Sequence, residues 1–287
     1  MSIIEEAVRK TAEQHQRLTS SEPLHNRSRI RRVTPAPAPV IDTSQVRQFQ
    51  RVSLDPNLME QNRILPRISD QAALRAYKIL RTRVLRRLEA NQWRSFAVTG
   101  VTAGEGKTLT AINLAMALAQ DVNTWVFLVD LDLQRPKVAQ YLGISGLSGE
   151  KGLSDYLLGD ASLESITYTP NIDRLSIIPN FQPVSQSSEL LSSPRMLELL
   201  RSLENEAPRR VIVFDMPPVL ASDDVLAFGP QLDGLLLVVG EGATSRDSLR
   251  SAKEVLAEMN LLGVVLNRSA DRDDNAYYSY AQAPRAC

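Results

Sequence analysis

The chain has 287 residues with 33 Lys+Arg balanced by 33 Asp+Glu, and 43% of it is hydrophobic, a composition that excludes a collagen-like or wholly disordered protein. Its one cysteine, Cys287, excludes a disulfide within the chain and fits a reducing compartment. No apolar run reaches the ~20 residues of a membrane helix, and the first residues lack the apolar core of a signal peptide, so a cytosolic protein is expected.

Charge is unevenly spread: residues 1–94 carry 18 basic against 9 acidic side chains, and residues 95–287 carry 15 against 24. The basic part opens with a short amphipathic segment around Ile3, Ile4 and Val8. It runs through a Ser/Arg-rich stretch to Pro35, Pro37 and Pro39, where the chain loses donors and stiffens. Residues 1–68 therefore read as a flexible basic arm that can meet an acidic partner or anionic lipid.

A folded unit, residues 69–270, is expected to begin at Ser69 and Asp70, where Asp70 can cap a helix whose apolar face is Leu74, Tyr77, Leu80, Val84 and Leu88. From Phe96 onward, apolar runs alternate with helical stretches. The runs are Phe96 to Val98, Trp125 to Val129, Leu175 to Ile178, Val211 to Phe214, Leu235 to Val239 and Val264 to Leu266. Their unbroken apolarity predicts strands buried on both faces, hence a mostly parallel α/β sheet flanked by helices.

The first of these strands leads into Gly100-Val101-Thr102-Ala103-Gly104-Glu105-Gly106-Lys107-Thr108. Gly104 and Gly106 let the backbone, with Glu105 between them, turn its N–H groups toward phosphate oxygens. Lys107 offers an ammonium to the β and γ phosphates, and Thr108 a hydroxyl to Mg²⁺. A helix through Leu109 would aim its positive end at the same anion. The sequence departs from the usual phosphate-loop spacing at one place, since Val101 stands where the first glycine belongs and Gly100 comes one residue early.

In parallel sheets ligands sit beyond the carboxyl ends of the strands. Three endings carry polar groups there: Asp130 and Asp132 after the second strand, Asp215 after the fourth, and Asn267 after the last. A carboxylate at this place can hold Mg²⁺ or accept a proton from an attacking hydroxyl, and Asn267 can pair with a purine edge. Mg·ATP is the cofactor this set implies. Residues 271–287 form an acidic tail with Tyr277, Tyr278 and Tyr280. Those tyrosines either dock back by aromatic packing or are exposed to modification.

Taken together, these residues resemble the P-loop NTPases of the deviant Walker (SIMIBI-like) type, and among them the bacterial tyrosine kinases of polysaccharide export. Gly104 to Thr108 is similar to that family's Walker A, Val126 to Asp132 to its acidic Walker A′, and Val211 to Pro218 to its Walker B. Ser188-Glu189-Leu190-Leu191 is similar to a segment of the exopolysaccharide-locus autokinases. The resemblance implies a tyrosine autokinase that phosphorylates Tyr277, Tyr278 and Tyr280 in trans, with Lys107 and Asp130 catalytic and Asp132 assisting at the metal, although the two aspartates' roles can be exchanged. Thr108, Asp130 and Asp215 would serve Mg²⁺. It also implies self-association and activation by the cytosolic tail of a membrane polysaccharide co-polymerase, at the inner face of the cell membrane, with no nucleic acid as partner.

Two readings compete. Partition and cell-division ATPases of the same fold carry a signature lysine five residues before the loop lysine, and this chain has Thr102 there. A non-catalytic nucleotide-binding adaptor is the other. Two family motifs are altered: the helical Glu-x-x-Arg-x-x-Arg appears here as Arg75 to Arg81, and Gln134 followed by Arg135 stands where the Walker A′ arginine belongs.

Overall fold

A computed structural model describes residues 49–67, 69–144, 149–207 and 209–269. In chain order the elements are β1 (Gln50–Val52), α1 (Pro56–Gln61), α2 (Gln71–Asn91), β2 (Ser95–Gly100), α3 (Lys107–Leu118), β3 (Trp125–Asp130), α4 (Val138–Leu142), α5 (Leu153–Leu158), α6 (Leu163–Ile166), β4 (Tyr168–Pro170), β5 (Leu175–Ile178), α7 (Ser187–Leu191), α8 (Pro194–Asn205), β6 (Arg210–Asp215), α9 (Asp224–Phe228), β7 (Gly234–Gly240), α10 (Arg246–Val255) and β8 (Leu261–Asn267).

The strands form one sheet in the order β1-β4-β5-β3-β6-β2-β7-β8. Every neighbouring pair is parallel except β4 and β5, which meet antiparallel at Tyr168 and Ile177. Alternate side chains of β3 show why the strands read as continuous apolar runs. Trp125, Phe127 and Val129 enter the core on one face, with α8 and α10. Val126 and Leu128 enter the core on the other, with α2 and α3. Helix α3 is buried along nearly its whole length, from Thr108 to Leu118.

All six expected strands are present, and Asp70 caps α2 by accepting from the Ala72 and Ala73 N–H groups. The start of the folded unit needs correction, because the described fold begins at Phe49 rather than at Ser69. Part of the expected arm is thus structure: β1 adds to the sheet edge, and Met59, Ile64 and Leu65 are buried in the α3-side core. Asn113 of α3 holds this segment by accepting from the Leu65 N–H at 2.8 Å and donating to the Arg63 carbonyl at 3.0 Å. Three-residue strands and a six-residue helix are too short to show a period, which is why the sequence did not reveal them. Residues 1–48 and the tail with Tyr277, Tyr278 and Tyr280 lie outside the described residues.

Candidate active site

The loop between β2 and α3 is built around Glu105, whose side chain turns inward and is 1% exposed. One carboxylate oxygen accepts from the Val101 and Thr102 N–H groups at 2.5 and 3.0 Å. The other accepts from the Thr102 hydroxyl at 3.0 Å and from the Thr244 hydroxyl. The shifted glycine follows from this. A Cβ at position 100 would meet Glu105 Oε2 at 2.6 Å, so Gly100 makes room for the carboxylate. Val101 needs no such room and fills the core beneath the loop, fully buried. Gly104 and Gly106 take φ of 85° and 90°, the left-handed region where a side chain is strained.

Gly106 is the N-cap of α3 and offers no side-chain cap, which leaves the first N–H groups of the helix facing outward for an anion. Asn267 at the end of β8 donates from Nδ2 to the Glu105 carbonyl at 2.8 Å. The amide expected to read a purine edge therefore braces the loop. Leu109 packs against the α3-side core.

Beyond the loop, the strand-end carboxylates converge on Lys107. Its Nζ is 2.6 Å from Asp132 Oδ2, 3.9 Å from Asp215 Oδ1 and 3.5 Å from the Thr108 hydroxyl. Burial lowers the lysine pKa, but Asp215 and Asp132 outweigh it and raise the value above its ordinary one, so Lys107 stays charged. Asp130 is fully buried and is used by the backbone: Oδ1 accepts from the Asp132 N–H, and Oδ2 from those of Lys137 and Val138 at the start of α4. Burial, with repulsion from Asp215, pushes its carboxyl well above the usual range despite the Val138 bond.

Asp215 is the member without a hydrogen bond, its one partner among the described residues being the Lys107 ammonium at 3.9 Å. It has no exposed surface, and neither carboxylate oxygen has a hydrogen bond of good geometry among the described residues. Burial pushes its pKa up to about 6 against the attraction of Lys107 and the nearby Thr108 hydroxyl. A buried carboxylate without a hydrogen bond, beside a threonine hydroxyl, fits a magnesium ion, which takes one or two protein oxygens and completes its shell with water and phosphate. No cluster of three or more His, Cys, Asp or Glu that could cage a metal occurs among the described residues. Asp130, also expected at the metal, has its oxygens committed to backbone N–H groups, so Thr108 and Asp215 are the pair that fits.

Three residues here were not foreseen. Thr244, just past β7, accepts from the Gly240 N–H and donates to Glu105, so a third strand end supports the loop. At the altered Walker A′ position, Gln134 donates to the Ser187 hydroxyl at 2.9 Å, which donates to Asp224 Oδ1 at 2.6 Å. Asp224 has no exposed surface and its other oxygen has no partner among the described residues. Only Thr244 could have been found from sequence, by extending the strand-end survey to β7. Ser187 and Asp224 come from helix starts that no linear spacing joins to Asp132.

Comparison with known proteins adds what geometry alone does not. Residues 96–283 match the family described as the CobQ/CobB/MinD/ParA nucleotide binding domain. The chain is 33% identical over 206 residues to the tyrosine-protein kinase YwqD of Bacillus subtilis, covering 70% of this chain and 84% of that one. It is 31% identical over 199 residues to the succinoglycan biosynthesis transport protein ExoP of Rhizobium meliloti, covering 67% of this chain but 24% of that longer protein. The solved kinase domain of the Escherichia coli tyrosine kinase ETK superposes with a TM-score of 0.66 at 27% identity, covering 82% of this chain and 88% of that one.

Proposed function

The chain belongs to the CobQ/CobB/MinD/ParA nucleotide-binding family and, within it, to the bacterial tyrosine-protein kinases, and from that premise we propose that it transfers the γ-phosphoryl group of ATP to tyrosine hydroxyls, chiefly Tyr277, Tyr278 and Tyr280 of another copy. The observation that carries this reading against the partition-type ATPases is Thr102. Both its N–H and its hydroxyl are bound to Glu105, and no cation stands where those ATPases reach across their dimer.

The residues divide the work as follows. The loop N–H groups and the uncapped start of α3 cradle the phosphates, and Lys107 leaves Asp132 to neutralise charge on the migrating group. Thr108 and Asp215 would hold Mg²⁺, which when bound screens the phosphate charge. Asp130, pinned to α4, holds the Asp132 loop in place. Asp132, released by Lys107, is then the carboxylate free to take the tyrosine proton, so of the two assignments left open by the sequence the exchanged one is preferred. Most of the rate comes from positioning and charge neutralisation.

Regulation of exopolysaccharide export, with the cytosolic segment of a membrane co-polymerase as activator, is the role we assign. It rests on the match to part of ExoP, a transport protein for one such polymer. No described helix is long and apolar enough to cross a membrane, so membrane contact would come through the partner or the basic residues 1–48.

The test is phosphotyrosine mapping by mass spectrometry after incubation with Mg·ATP, with and without the co-polymerase segment. Label is expected on Tyr277, Tyr278 or Tyr280, and their joint change to Phe should remove most of it while nucleotide still binds. A protein that hydrolyses ATP and dimerises with bare tyrosines would be a switch ATPase. One that binds ATP with no turnover would be an adaptor.

A further inference from the structure

Asp224 is a buried carboxylate that the chemistry above does not use. It opens α9 with no exposed surface, and its Oδ2 has no partner among the described residues. Its Oδ1 takes the Ser187 hydroxyl of α7 rather than an N–H of its own helix, so the carboxylate joins two elements instead of capping one. Burial raises its pKa, with the Ser187 bond opposing, and Asp132 is among the charges that add to the rise. Asp132 and Asp224 therefore share one neighbourhood.

The chain of bonds through Asp224 joins the two halves of the site. On one side, the connection from β6 to α9 is fastened to the end of β2 and the phosphate loop. The Val219 and Leu220 N–H groups donate to the Gly100 and Val101 carbonyls at 2.9 and 3.3 Å, and the Thr99 hydroxyl donates to the Pro217 carbonyl at 2.6 Å. On the other side, Gln134 lies inside a turn that runs from Asp132 to Arg135. That turn is closed by the Arg135 N–H, which donates to both the carbonyl and Oδ1 of Asp132. The Gln134 amide donates to Ser187, whose single proton goes on to Asp224; an ionised carboxylate only accepts, so the direction of the chain is fixed. Arg135 is exposed and makes no ion pair with a described residue, which leaves Gln134 as the side chain that fills the altered Walker A′ place.

We propose that Asp224 is a positioning residue for phosphoryl transfer: through Ser187 and Gln134 it ties the turn that carries Asp132 to the connection fastened to the phosphate loop, and so sets Asp132 at a fixed place relative to the γ-phosphate and the acceptor hydroxyl. This rests on the kinase reading above. The tie matters most once nucleotide is bound. Without nucleotide the Lys107 ammonium holds Asp132 at 2.6 Å, and when the lysine turns to phosphate that hold is gone. An arginine at position 134 would reach a buried carboxylate directly, with two parallel bonds; the glutamine is shorter, and the Ser187 hydroxyl makes up the span.

Single-turnover phosphotyrosine formation by the full chain, with ATP affinity measured alongside, tests the proposal. Gln134→Glu keeps the shape of the side chain but has no donor for Ser187, and the exposed position lets the variant fold. Gln134→Glu and Ser187→Ala are each expected to slow transfer about tenfold while the Kd for ATP stays within about twofold. The two combined should slow it no further, because one chain of bonds is broken only once. Ser187→Ala/Gln134→Arg should recover most of the rate, which general loosening of the fold would not allow. Unchanged rates in the single variants, a loss of about a hundredfold in the combined one, or no recovery with arginine would each overturn the proposal. Amide hydrogen exchange of residues 131–137 with Mg²⁺ and a non-hydrolysable ATP analogue reads the positioning apart from the chemistry. Faster exchange is expected in Gln134→Glu than in the wild type, and equal exchange counts against the tie. If the wild type forms no phosphotyrosine but the variants loosen this turn, the positioning of Asp132 stands and the kinase reading falls.

Discussion

Lys107 neutralises a cluster of three buried carboxylates, and this sets what its removal does. Its pKa is raised on folding, so its stabilising contribution is fully present at neutral pH and is lost only as pH rises through the folded value. Lys107→Met should therefore abolish phosphotyrosine formation and also lower stability by about 2 kcal/mol at pH 8, a deficit that shrinks in acid as the carboxylates protonate. Urea unfolding at several pH values checks this. Asp215 behaves in the opposite sense. Its pKa of about 6 lies above the ordinary 3.8, so its ionised form costs stability that is fully felt above pH 6 and vanishes as pH falls toward 3.8. Asp215→Asn should accordingly stabilise the nucleotide-free protein by about 2 kcal/mol at pH 7.5, with no gain near pH 4, while weakening Mg²⁺-dependent ATP binding; calorimetry reads both. At this scale residue type and position after a strand were enough to single out Lys107, Asp132 and Asp215, which the structure brings together with both carboxylates within 3.9 Å of the lysine ammonium. Which of them share a proton or a partner was not legible. Asp130, Asp132 and Asp215 look alike in a linear reading, and only burial and backbone contacts separate a helix-bound carboxylate from one without a hydrogen bond.

Among the elements, the long ones were readable and the short ones were not. Strands β2, β3, β6 and β7 are buried on both faces, so their composition announces them, and α2 carries its own cap. By contrast β1, α1 and β4 are held by tertiary contacts that their own few residues do not encode. Asn113 is the clearest such contact, because a polar residue inside a buried helix is explained only by the loop it binds. Asn113→Ala leaves the Leu65 N–H and the Arg63 carbonyl without that partner, so a loss of about 2–3 kcal/mol is expected in thermal unfolding, with the 49–67 segment first to gain hydrogen exchange. The Gln134–Ser187–Asp224 chain belongs to this scale as well, since it joins the loop after β3 to the starts of α7 and α9. Ser187→Ala breaks it while touching no strand-end carboxylate, and is expected to lower kcat about tenfold with ATP affinity little changed, as stopped-flow single-turnover measurements would show.

For the whole molecule, the proposed chemistry is bimolecular: the acceptor tyrosines of one copy meet Lys107 of another. Mixing the Lys107→Met protein with the triple Phe protein should therefore restore label that neither shows alone, and all of it should sit on the Lys107→Met chain. Label confined to wild-type controls would instead mean transfer within one copy. The sheet order carries a different consequence, one for how the protein is made. β2, which bears the phosphate loop, has as its two neighbours β6 and β7, paired through Phe96 with Val213 and with Gly234. More than a hundred residues must leave the ribosome after β2 before either neighbour exists. Through that interval β2 is a strand without either of its sheet neighbours, so the phosphate loop it carries reaches its final position only after β6 and β7 have been made.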